Sequence, residues 1–474
     1  MDTATRPLHL HEDRLFPPDP AQRSIARRLY AEVGTLPIVS PHGHTDPSWW
    51  AGNACFANAT ELLLVPDHYV FRMLYSQGIS LDALGIPRVD GSRAQVDPHQ
   101  AWRVFAENFH LFRGTPSAMW LNHVFHDVFG LRQRLDANSA DAYYETITTA
   151  LQTDAFRPRA LFERFNIEAI ATTEGPLDTL AHHQAIRDSG WHGRVLTAYR
   201  PDEVVDPEHE AFAGALERFG EMTGEDVQSW DGYLLAHRKR RDFFKAMGAT
   251  STDHGHETAL TANLSRAEAE RLFAKIVRGD FSTQEAALFR GQVLTEMAAM
   301  SLDDGLVMQL HPGCLRNHNP LLFARHGRNV GADLPLRTDY VNALRPLLER
   351  FGNEPDFRLI LFTLDESTYS RELGPMAGHY PCVYLGPAWW FHDSVEGMWR
   401  FREQTLSTAG FYNTVGFNDD TRAFLSIPAR HDVARRVDCA VLARLVAEHR
   451  LDEDEALEVA IDLAYHLPKR AYRL

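Results

Sequence analysis

The chain is poor in cysteine and lacks long apolar runs. Its four cysteines among 474 residues lie far apart and form no C-x-x-C pair, so neither a disulfide framework nor a zinc–thiolate site is indicated. No stretch reaches about 18 uninterrupted apolar residues, so no transmembrane helix is indicated. Residues 1–16 contain acidic side chains and no apolar core, and we expect no secretory signal there. These absences predict a protein of the reducing cytoplasm.

Positive charge is also scarce. The chain has 48 Lys and Arg against 64 Asp and Glu, a formal net charge of −16. Nucleic-acid binders normally present a basic face, so we expect no nucleic-acid partner. An acidic protein binds an anionic substrate only where placed arginines or a metal ion make the site locally positive.

Short apolar, β-branched runs recur along the chain and alternate with segments of helical spacing. The apolar fraction of 44% is ordinary for a globular protein, and neither an internal repeat nor a low-complexity linker divides residues 1–474. Strands that alternate with helices favour a parallel sheet, and eight of them predict an α/β fold of the (β/α)8 TIM-type barrel class. The predicted strands are 36–44, 167–175, 194–202, 248–256, 306–313, 357–365, 382–390 and 413–420.

A long insertion separates the first two predicted strands. Residues 48–165 contain amphipathic, aromatic-rich helical segments, so we predict a helical insert after the first strand. Such an insert leaves the barrel at the C-terminal ends of the strands, where barrel enzymes have their active sites. We therefore expect the insert over or beside the site, and further helices over residues 430–474.

Two histidines, His42 and His44, end the first predicted strand. Residues at positions i and i+2 of a strand point to the same face. Buried imidazoles need polar partners, and paired imidazoles are good ligands of a divalent metal. A histidine-rich loop, in a chain that has 24 histidines, is the alternative interpretation.

Polar residues follow other predicted strands as well, where a barrel would gather them at one mouth. Two histidines, a third histidine and a carboxylate on that face predict a divalent-metal site with nitrogen and oxygen ligands. The absence of thiolates favours a catalytic site over a structural one. The residues concerned are Arg200, Asp202, Asp253, His254, His311, Trp389, Trp390, Asp419, Asp420 and Arg422.

Seven stretches carry a more specific pattern, which is spread over nearly the whole chain. Together they resemble the uronate isomerase (glucuronate isomerase) family of the amidohydrolase superfamily. The resemblance implies aldose–ketose isomerisation of a small-molecule hexuronate, D-glucuronate to D-fructuronate or D-galacturonate to D-tagaturonate, without a nucleotide or organic cofactor. The stretches are HGHTDP (42–47), DHYVFRML (67–74), YRPD (199–202), STDHG (251–255), MQLHPGCLRNHN (308–319), PAWWFHD (387–393) and DTRAFLSIPARHDVARR (420–436).

The resemblance also implies a single divalent metal, with Zn²⁺ expected and Mn²⁺, Fe²⁺ and Co²⁺ left open. Hydrolases of the superfamily usually bridge two metals with help from a histidine on the sixth strand, which the stretch FTLDES (362–367) lacks. The implied ligands are His42, His44 and Asp420. Asp419 remains the alternative to Asp420, which the position of Arg422 favours.

Roles for the remaining residues follow from the same resemblance. The DHY motif places His68 and Tyr69 as the pair that moves a proton between C2 and C1, with Asp420 and Arg422 as further catalytic groups. We expect Arg200 on the distal carboxylate and Arg422 nearer the reacting end, although the opposite arrangement is open. For His311, ligand, supporting and substrate-contact roles all remain open, as do core and contact roles for Trp389. The implied substrate-binding residues are Arg200, Arg316, His311, Trp389 and Asp253.

Two other functions compete with the isomerase. A metal-dependent hydrolase would use the metal to generate hydroxide, and a catalytically inactive barrel would bind sugar acids only. The aromatic-rich insert is also a possible interface between subunits, so we expect a homo-oligomer, and a trimer in particular.

Overall fold

The parallel sheet follows the order of the sequence. The computed structural model describes residues 6–474. The segment 1–16, for which we expect no secretory signal, lies partly outside the described residues, at positions 1–5. Within residues 6–474, seven parallel strands pair with their successors in the order β1-β2-β3-β4-β5-β8-β9, and β6 pairs with β7 in an antiparallel hairpin. The predicted α/β barrel class is confirmed. The strands are β1 Ile38–Ser40, β2 Ile167–Glu174, β3 Arg194–Tyr199, β4 Ser251–His254, β5 Val307–Leu310, β6 Cys314–Leu315, β7 Leu334–Pro335, β8 Leu359–Leu361 and β9 Val383–Leu385.

The eighth predicted strand, 413–420, is wrong in detail. Its only ladder contact within the described chain is a single parallel bridge between Thr414 and Leu385 of β9. Gly416 and Asp420 have φ angles of 74° and 38°, a left-handed backbone that interrupts a strand. An irregular segment therefore takes the place of the eighth strand.

Individual hydrogen bonds, and not a continuous strand ladder, hold the segment 413–420 in place. The N–H of His44 donates to the carbonyl of Thr421 at 3.0 Å, next to the end of β1. The side chain of Asn418 donates to the Tyr472 hydroxyl at 3.1 Å, and that hydroxyl donates to Gln309 of β5 at 3.0 Å. The segment thus brings Asp420 beside the first-strand histidines.

Helices cover the sheet and fill the predicted insert. The aromatic core of the insert, which includes Trp102 and Phe105, is continuous with Ile167 and Ile170 of β2. Among residues 6–474, no helix has both the length and the apolarity that crossing a bilayer needs. Before β2 lie α1 Pro20–Val33, α2 Ser48–Gly52, α3 Ala59–Leu63, α4 His68–Tyr75, α5 Pro98–Glu107, α6 Pro116–His123, α7 Ala140–Leu151 and α8 Pro158–Arg164.

The remaining helices alternate with the strands and then close the chain. The predicted C-terminal helices begin slightly earlier than residue 430, at Ile427. After β2 come α9 Ala181–Asp188, α10 Asp202–Val205, α11 Phe212–Thr223, α12 Trp230–Ala246, α13 Arg266–Val277, α14 Thr283–Asp304, α15 Pro320–His326, α16 Val341–Phe351, α17 Gly374–Ala377, α18 Val395–Ala409, α19 Ile427–Ala447, α20 Glu453–Ile461 and α21 Leu467–Tyr472. Short 3₁₀ helices span Asp82–Leu84, Phe109–Phe112, Asp154–Phe156, Trp390–His392 and Phe424–Ser426, and π turns span Val124–Val128, Tyr369–Leu373 and Asp462–His466.

Asp432 on α19 fastens the N-terminal segment to the barrel. Its carboxylate accepts hydrogen bonds from Arg14 at 2.6 Å, from Arg436 at 2.9 Å and from the Tyr30 hydroxyl. Burial raises the pKa of Asp432, but the charges of Arg14 and Arg436 outweigh it and hold the pKa below its usual value of 3.8. The folded state therefore favours the ionised carboxylate.

We expect Asp432→Asn to lower the free energy of unfolding at pH 7 by roughly 3 kcal/mol, because it breaks a largely buried ion pair. A pKa depressed by folding stabilises the protein above the unfolded pKa, near 3.9, and the effect disappears as pH falls through the folded pKa. Urea unfolding at pH 7 and at several acidic pH values measures this. Asp154→Asn, whose partner Arg157 is also exposed, is the control and should change little. Equal stability of Asp432→Asn and wild type at pH 7 would contradict the assignment.

Candidate active site

A cavity of about 520 Å³ opens at the C-terminal ends of the strands. The start of α4, from the insert, forms part of its wall. Three of the predicted residues, Asp253, His254 and Asp419, are absent from this wall. The predicted residues that line the cavity are His42, His44, His68, Tyr69, Arg200, Asp202, His311, Arg316, Trp389, Trp390, Asp420 and Arg422.

Asp420 lies against both first-strand histidines. Its Oδ1 is 3.4 Å from Nε2 of His42 and 3.2 Å from Nε2 of His44. Asp419 instead places Oδ2 3.1 Å from Nε2 of His431. The geometry therefore places Asp420, and not Asp419, beside the histidines. His311 also joins the group, because its ligand atom and those of His42 and Asp420 all lie within 4.8 Å of one another.

The same group keeps polar atoms without hydrogen-bond partners. Within residues 6–474, nothing pairs with Nδ1 of His42, Nε2 of His311 or Oδ1 of Asp420, although all three atoms are buried. Buried polar atoms are normally paired, and imidazole with carboxylate is a donor set that divalent metals accept. These residues therefore fit a divalent cation.

Charge in this group also suits a cation. Burial lowers the pKa of His44 to about 4, so its imidazole is neutral near pH 7 and has a free lone pair. Burial alone would raise the pKa of Asp420, but His42 and His44 hold it well below the usual value. The site thus offers one carboxylate and, at His44, a neutral imidazole nitrogen.

Asp253 lies beneath the cavity and has no contact with solvent. Its Oδ1 accepts a hydrogen bond from Nδ1 of His311 at 2.6 Å, and its Oδ2 accepts one from Nη1 of Arg200 at 2.9 Å. Burial raises the pKa of Asp253, but Arg200 and His311 outweigh burial and hold it well below normal. A proton on Nδ1 leaves Nε2 of His311 as the free acceptor. Asp253 therefore orients Arg200 and His311.

Two nitrogens of the Arg200 guanidinium group, Nε and Nη1, already have carboxylate partners in the protein. Besides Asp253, it donates from Nε to Asp202 at 2.8 Å. Gly255, just after β4, makes room for it, because a Cβ there would lie 1.8 Å from Nη2 of Arg200. Gly255 stands in the STDHG stretch, yet its role depends on an arginine that another strand supplies.

His68 and Tyr69 begin α4. Asp67 caps this helix by accepting a hydrogen bond from the N–H of Tyr69 at 2.8 Å. The two rings stack, with centroids 4.9 Å apart and planes inclined by 19°. Burial lowers the pKa of His68 well below 6.5 and raises that of Tyr69. Both side chains are therefore uncharged near neutral pH.

The other two predicted arginines have partners in the loop between α15 and β7. Arg422 donates to Oδ1 of Asn329 at 3.0 Å, and Arg316 donates to Oδ2 of Asp333 at 3.0 Å. Each retains further donors toward the cavity that both residues line. Burial lowers the pKa of Arg422. Sequence reasoning missed Asn329 and Asp333, because no motif marks a loop position that meets a distant arginine.

Trp389 and Trp390 differ in their contacts. Trp389 donates from Nε1 to Oδ2 of Asp420 and packs edge-on against His311, with ring centroids 4.8 Å apart. Trp390 has a left-handed φ of 51° and carries Arg316 over its ring at 5.0 Å. A bulky residue rarely adopts that backbone, so the conformation of Trp390 was not predictable from composition or spacing.

Comparisons with known proteins agree with one another. A family model described as glucuronate isomerase matches residues 20–472. The chain is 77% identical over 468 residues to a uronate isomerase of Xanthomonas campestris pv. campestris, covering 99% of each chain. It superposes on the crystal structure of glucuronate isomerase from Caulobacter crescentus with a TM-score of 0.98 and 67% identity, covering 99% of this chain and 98% of that one. For a uronate isomerase structure from Thermotoga maritima, the TM-score is 0.91, the identity 27%, and the coverage 98% and 99%.

We expect one divalent ion to bind per chain, measured by calorimetric titration of metal-free protein. Asp420→Asn should weaken binding by about 100-fold or more, since loss of even an outer-shell partner costs up to about 100-fold. Asp419→Asn is the matched control, because an amide still accepts the hydrogen bond from His431. The assignment is wrong if Asp419→Asn abolishes binding and Asp420→Asn retains it.

Proposed function

The chain belongs to the glucuronate isomerase family and catalyses aldose–ketose isomerisation of a uronate, and we propose that His68 and Tyr69 carry the proton between C2 and C1. The reaction needs a base, an electrophile for the developing oxyanion, and a cationic partner for the distal carboxylate. One observation carries the proposal: a single cavity holds the uncharged His68–Tyr69 pair, the histidine–aspartate group and several arginines.

We propose that the histidine–aspartate group holds one Zn²⁺. His42, His44 and Asp420 are its ligands, and the proximity of His311 supports that residue as a further candidate. When bound, the ion supplies Lewis-acid polarisation of substrate oxygens. Trp389 fixes the Asp420 carboxylate through its indole N–H, which supports a second role for Asp420 in moving the hydroxyl proton between O2 and O1.

The arginine contacts support a revised assignment for the substrate carboxylate. Arg200 already binds two carboxylates, those of Asp202 and Asp253, and we propose that it shapes the floor of the site. Arg316 and Arg422 each give only part of their guanidinium group to the protein. An arginine fork matches a carboxylate bidentately, so we propose these two for the uronate.

The uncharged state of His68 and Tyr69 suits proton transfer at carbon. A neutral imidazole accepts a proton near pH 7 without first losing one. Both residues lie on α4 of the insert, above the barrel strands that supply the histidine–aspartate group. We propose that a substrate lies between these two parts, so that one face of C1 and C2 meets the pair.

We also propose that D-galacturonate is accepted, because it differs from D-glucuronate at one hydroxyl, remote from C1 and C2. The expected compartment is the cytoplasm, which the four free cysteines of the chain support. A homo-oligomer, and a trimer in particular, is the proposed assembly. Exposed apolar side chains at Val89, Leu321 and Leu334 support an interface there.

The experiment offers metal-loaded enzyme D-glucuronate, D-galacturonate and the neutral aldose D-glucose, and follows the ketose by NMR. We expect turnover of both uronates, little turnover of glucose because it lacks the carboxylate, and loss of activity after chelation that returns with Zn²⁺. Glucose turnover as fast as that of the uronates would contradict the carboxylate assignment. A metal-loaded enzyme inactive on both uronates would contradict the proposed function.

A further inference from the structure

A buried arginine from another part of the chain lies behind Tyr69. Arg430 on α19 is only 1% exposed, and its guanidinium carbon lies 5.4 Å from the centroid of the Tyr69 ring and 3.5 Å from that of Trp120. It donates from Nε to the Ser426 hydroxyl at 3.1 Å. A cation over an aromatic face is attracted to it, so Arg430 fixes the position of the ring that α4 presents to the cavity.

Asp393 holds this arginine in place. Its Oδ2 accepts a hydrogen bond from Nη1 of Arg430, and the carboxylate is 6% exposed. Within the described chain, Oδ1 of Asp393 and Nη2 of Arg430 have no hydrogen-bond partner. Neither residue lines the cavity. A buried charged pair with an unpaired atom on each side is costly for stability, which suggests that the pair serves a purpose other than packing.

We propose that Arg430, held by Asp393, is a positioning residue that fixes Tyr69 beside His68 and favours the ionised form of its hydroxyl during catalysis. The inference rests on the proposed function and deepens it. Arg430 does not line the cavity. It contacts the ring of Tyr69, and its Nη1 also donates to the carbonyl of Asp419 at 3.3 Å.

The proton transfer that Arg430 would support through Tyr69 moves one proton from C2 to C1 and adds no atom to the substrate. The Tyr69 hydroxyl first releases its proton to solvent, and the phenolate oxygen then takes the proton from C2. The electron pair of the broken C2–H bond forms the C1–C2 double bond, and the carbonyl pair moves to O1. After the hydroxyl proton has passed from O2 to O1, the Tyr69 oxygen returns its proton to C1 and the C2 carbonyl forms. A proton from solvent then restores the Tyr69 hydroxyl, so Tyr69 ends uncharged, as it began.

Other charged groups also surround Tyr69. Asp67, His68 and Arg72 approach from the start of α4, and Arg72 lies 5.0 Å from the ring centroid. Burial is the largest influence and raises the pKa of Tyr69, while Arg430 and Arg72 oppose that rise and Asp393 and Asp420 add to it. Arg72 is partly exposed, so water screens its charge more than that of Arg430.

The test uses four variants of the full-length, metal-loaded enzyme. Arg430→Lys keeps the positive charge but replaces the guanidinium with a single ammonium group. The double variant Arg430→Met/Asp393→Asn removes both charges together, which avoids leaving one buried and unpaired. Tyr69→Phe alone, and Tyr69→Phe combined with this double variant, complete the set. The kcat and KM for D-glucuronate are measured across the pH range, together with thermal unfolding.

A second, largely buried ion pair, which joins α18 to α19, provides the matched control. Arg402 donates to Asp438 of α19 at 2.8 and 3.1 Å, and it lies away from the cavity. Arg402→Met/Asp438→Asn therefore imposes a similar structural change without touching Tyr69. We expect its kcat to stay close to that of the wild type.

We expect Arg430→Met/Asp393→Asn to lower kcat by about 10-fold, because loss of the Asp393 charge offsets part of the loss of the Arg430 charge, 5.4 Å from the Tyr69 ring. KM should change little, the fall in kcat should be partly recovered at higher pH, and Arg430→Lys should retain most of the activity. In the Tyr69→Phe background, the same double change should have little further effect.

Wild-type kcat in Arg430→Met/Asp393→Asn, an equal loss in the control pair, or an undiminished loss in the Tyr69→Phe background would overturn the inference. In each of those cases the wild-type enzyme still turns over D-glucuronate, so the proposed function stands. A wild-type enzyme without turnover would instead overturn the proposed function, and this inference with it.

Discussion

The site depends on one carboxylate that never meets solvent. Asp253 ends up buried because β4 places it beneath the cavity, and a lone buried carboxylate would be prohibitively costly. Arg200 from the end of β3 and His311 from the end of β5 offset that cost, and the three side chains lock three neighbouring strands into one arrangement. The free nitrogen of His311 then joins His42 and Asp420. The buried contacts of Asp253 with Arg200 and His311 therefore help to fix the positions of the candidate metal ligands above them.

The chemistry is divided between two parts of the chain. The barrel supplies the histidine–aspartate group and the arginines, whereas the insert supplies His68 and Tyr69 at the start of α4. A barrel without the insert would keep a site suited to a divalent cation but lose the proposed proton-transfer pair. This division separates the account from the hydrolase alternative, in which a metal-activated water would do the work, and the family match favours the isomerase.

Much of this arrangement could be predicted from local sequence. His42 and His44 share a strand face because of the two-residue period of a strand, and alternation of strands with helices indicated the barrel. The prediction of the eighth strand was wrong, because Gly416 and Asp420 adopt a left-handed backbone. The neighbouring residues, some of them β-branched, gave no sign of that conformation. Asn329 and Gly255 could not be predicted as functional residues for another reason. Each acts on a side chain that is distant in sequence, and only the folded chain brings the two together. The family pattern offered Arg430 as a candidate at the barrel mouth, but the folded chain places it behind Tyr69 instead.

The central claim is that a proton, removed from C2, returns to C1 without any atom being added. The most direct test runs the reaction in H₂O on D-glucuronate deuterated at C2 and analyses the ketose by NMR and mass spectrometry. The account predicts a ketose of unchanged heavy-atom composition that carries deuterium at C1, because the group that takes the deuteron from C2 also delivers it to C1. A ketose without deuterium at C1 even at the lowest measurable conversion, or a product heavier by one water, would contradict it.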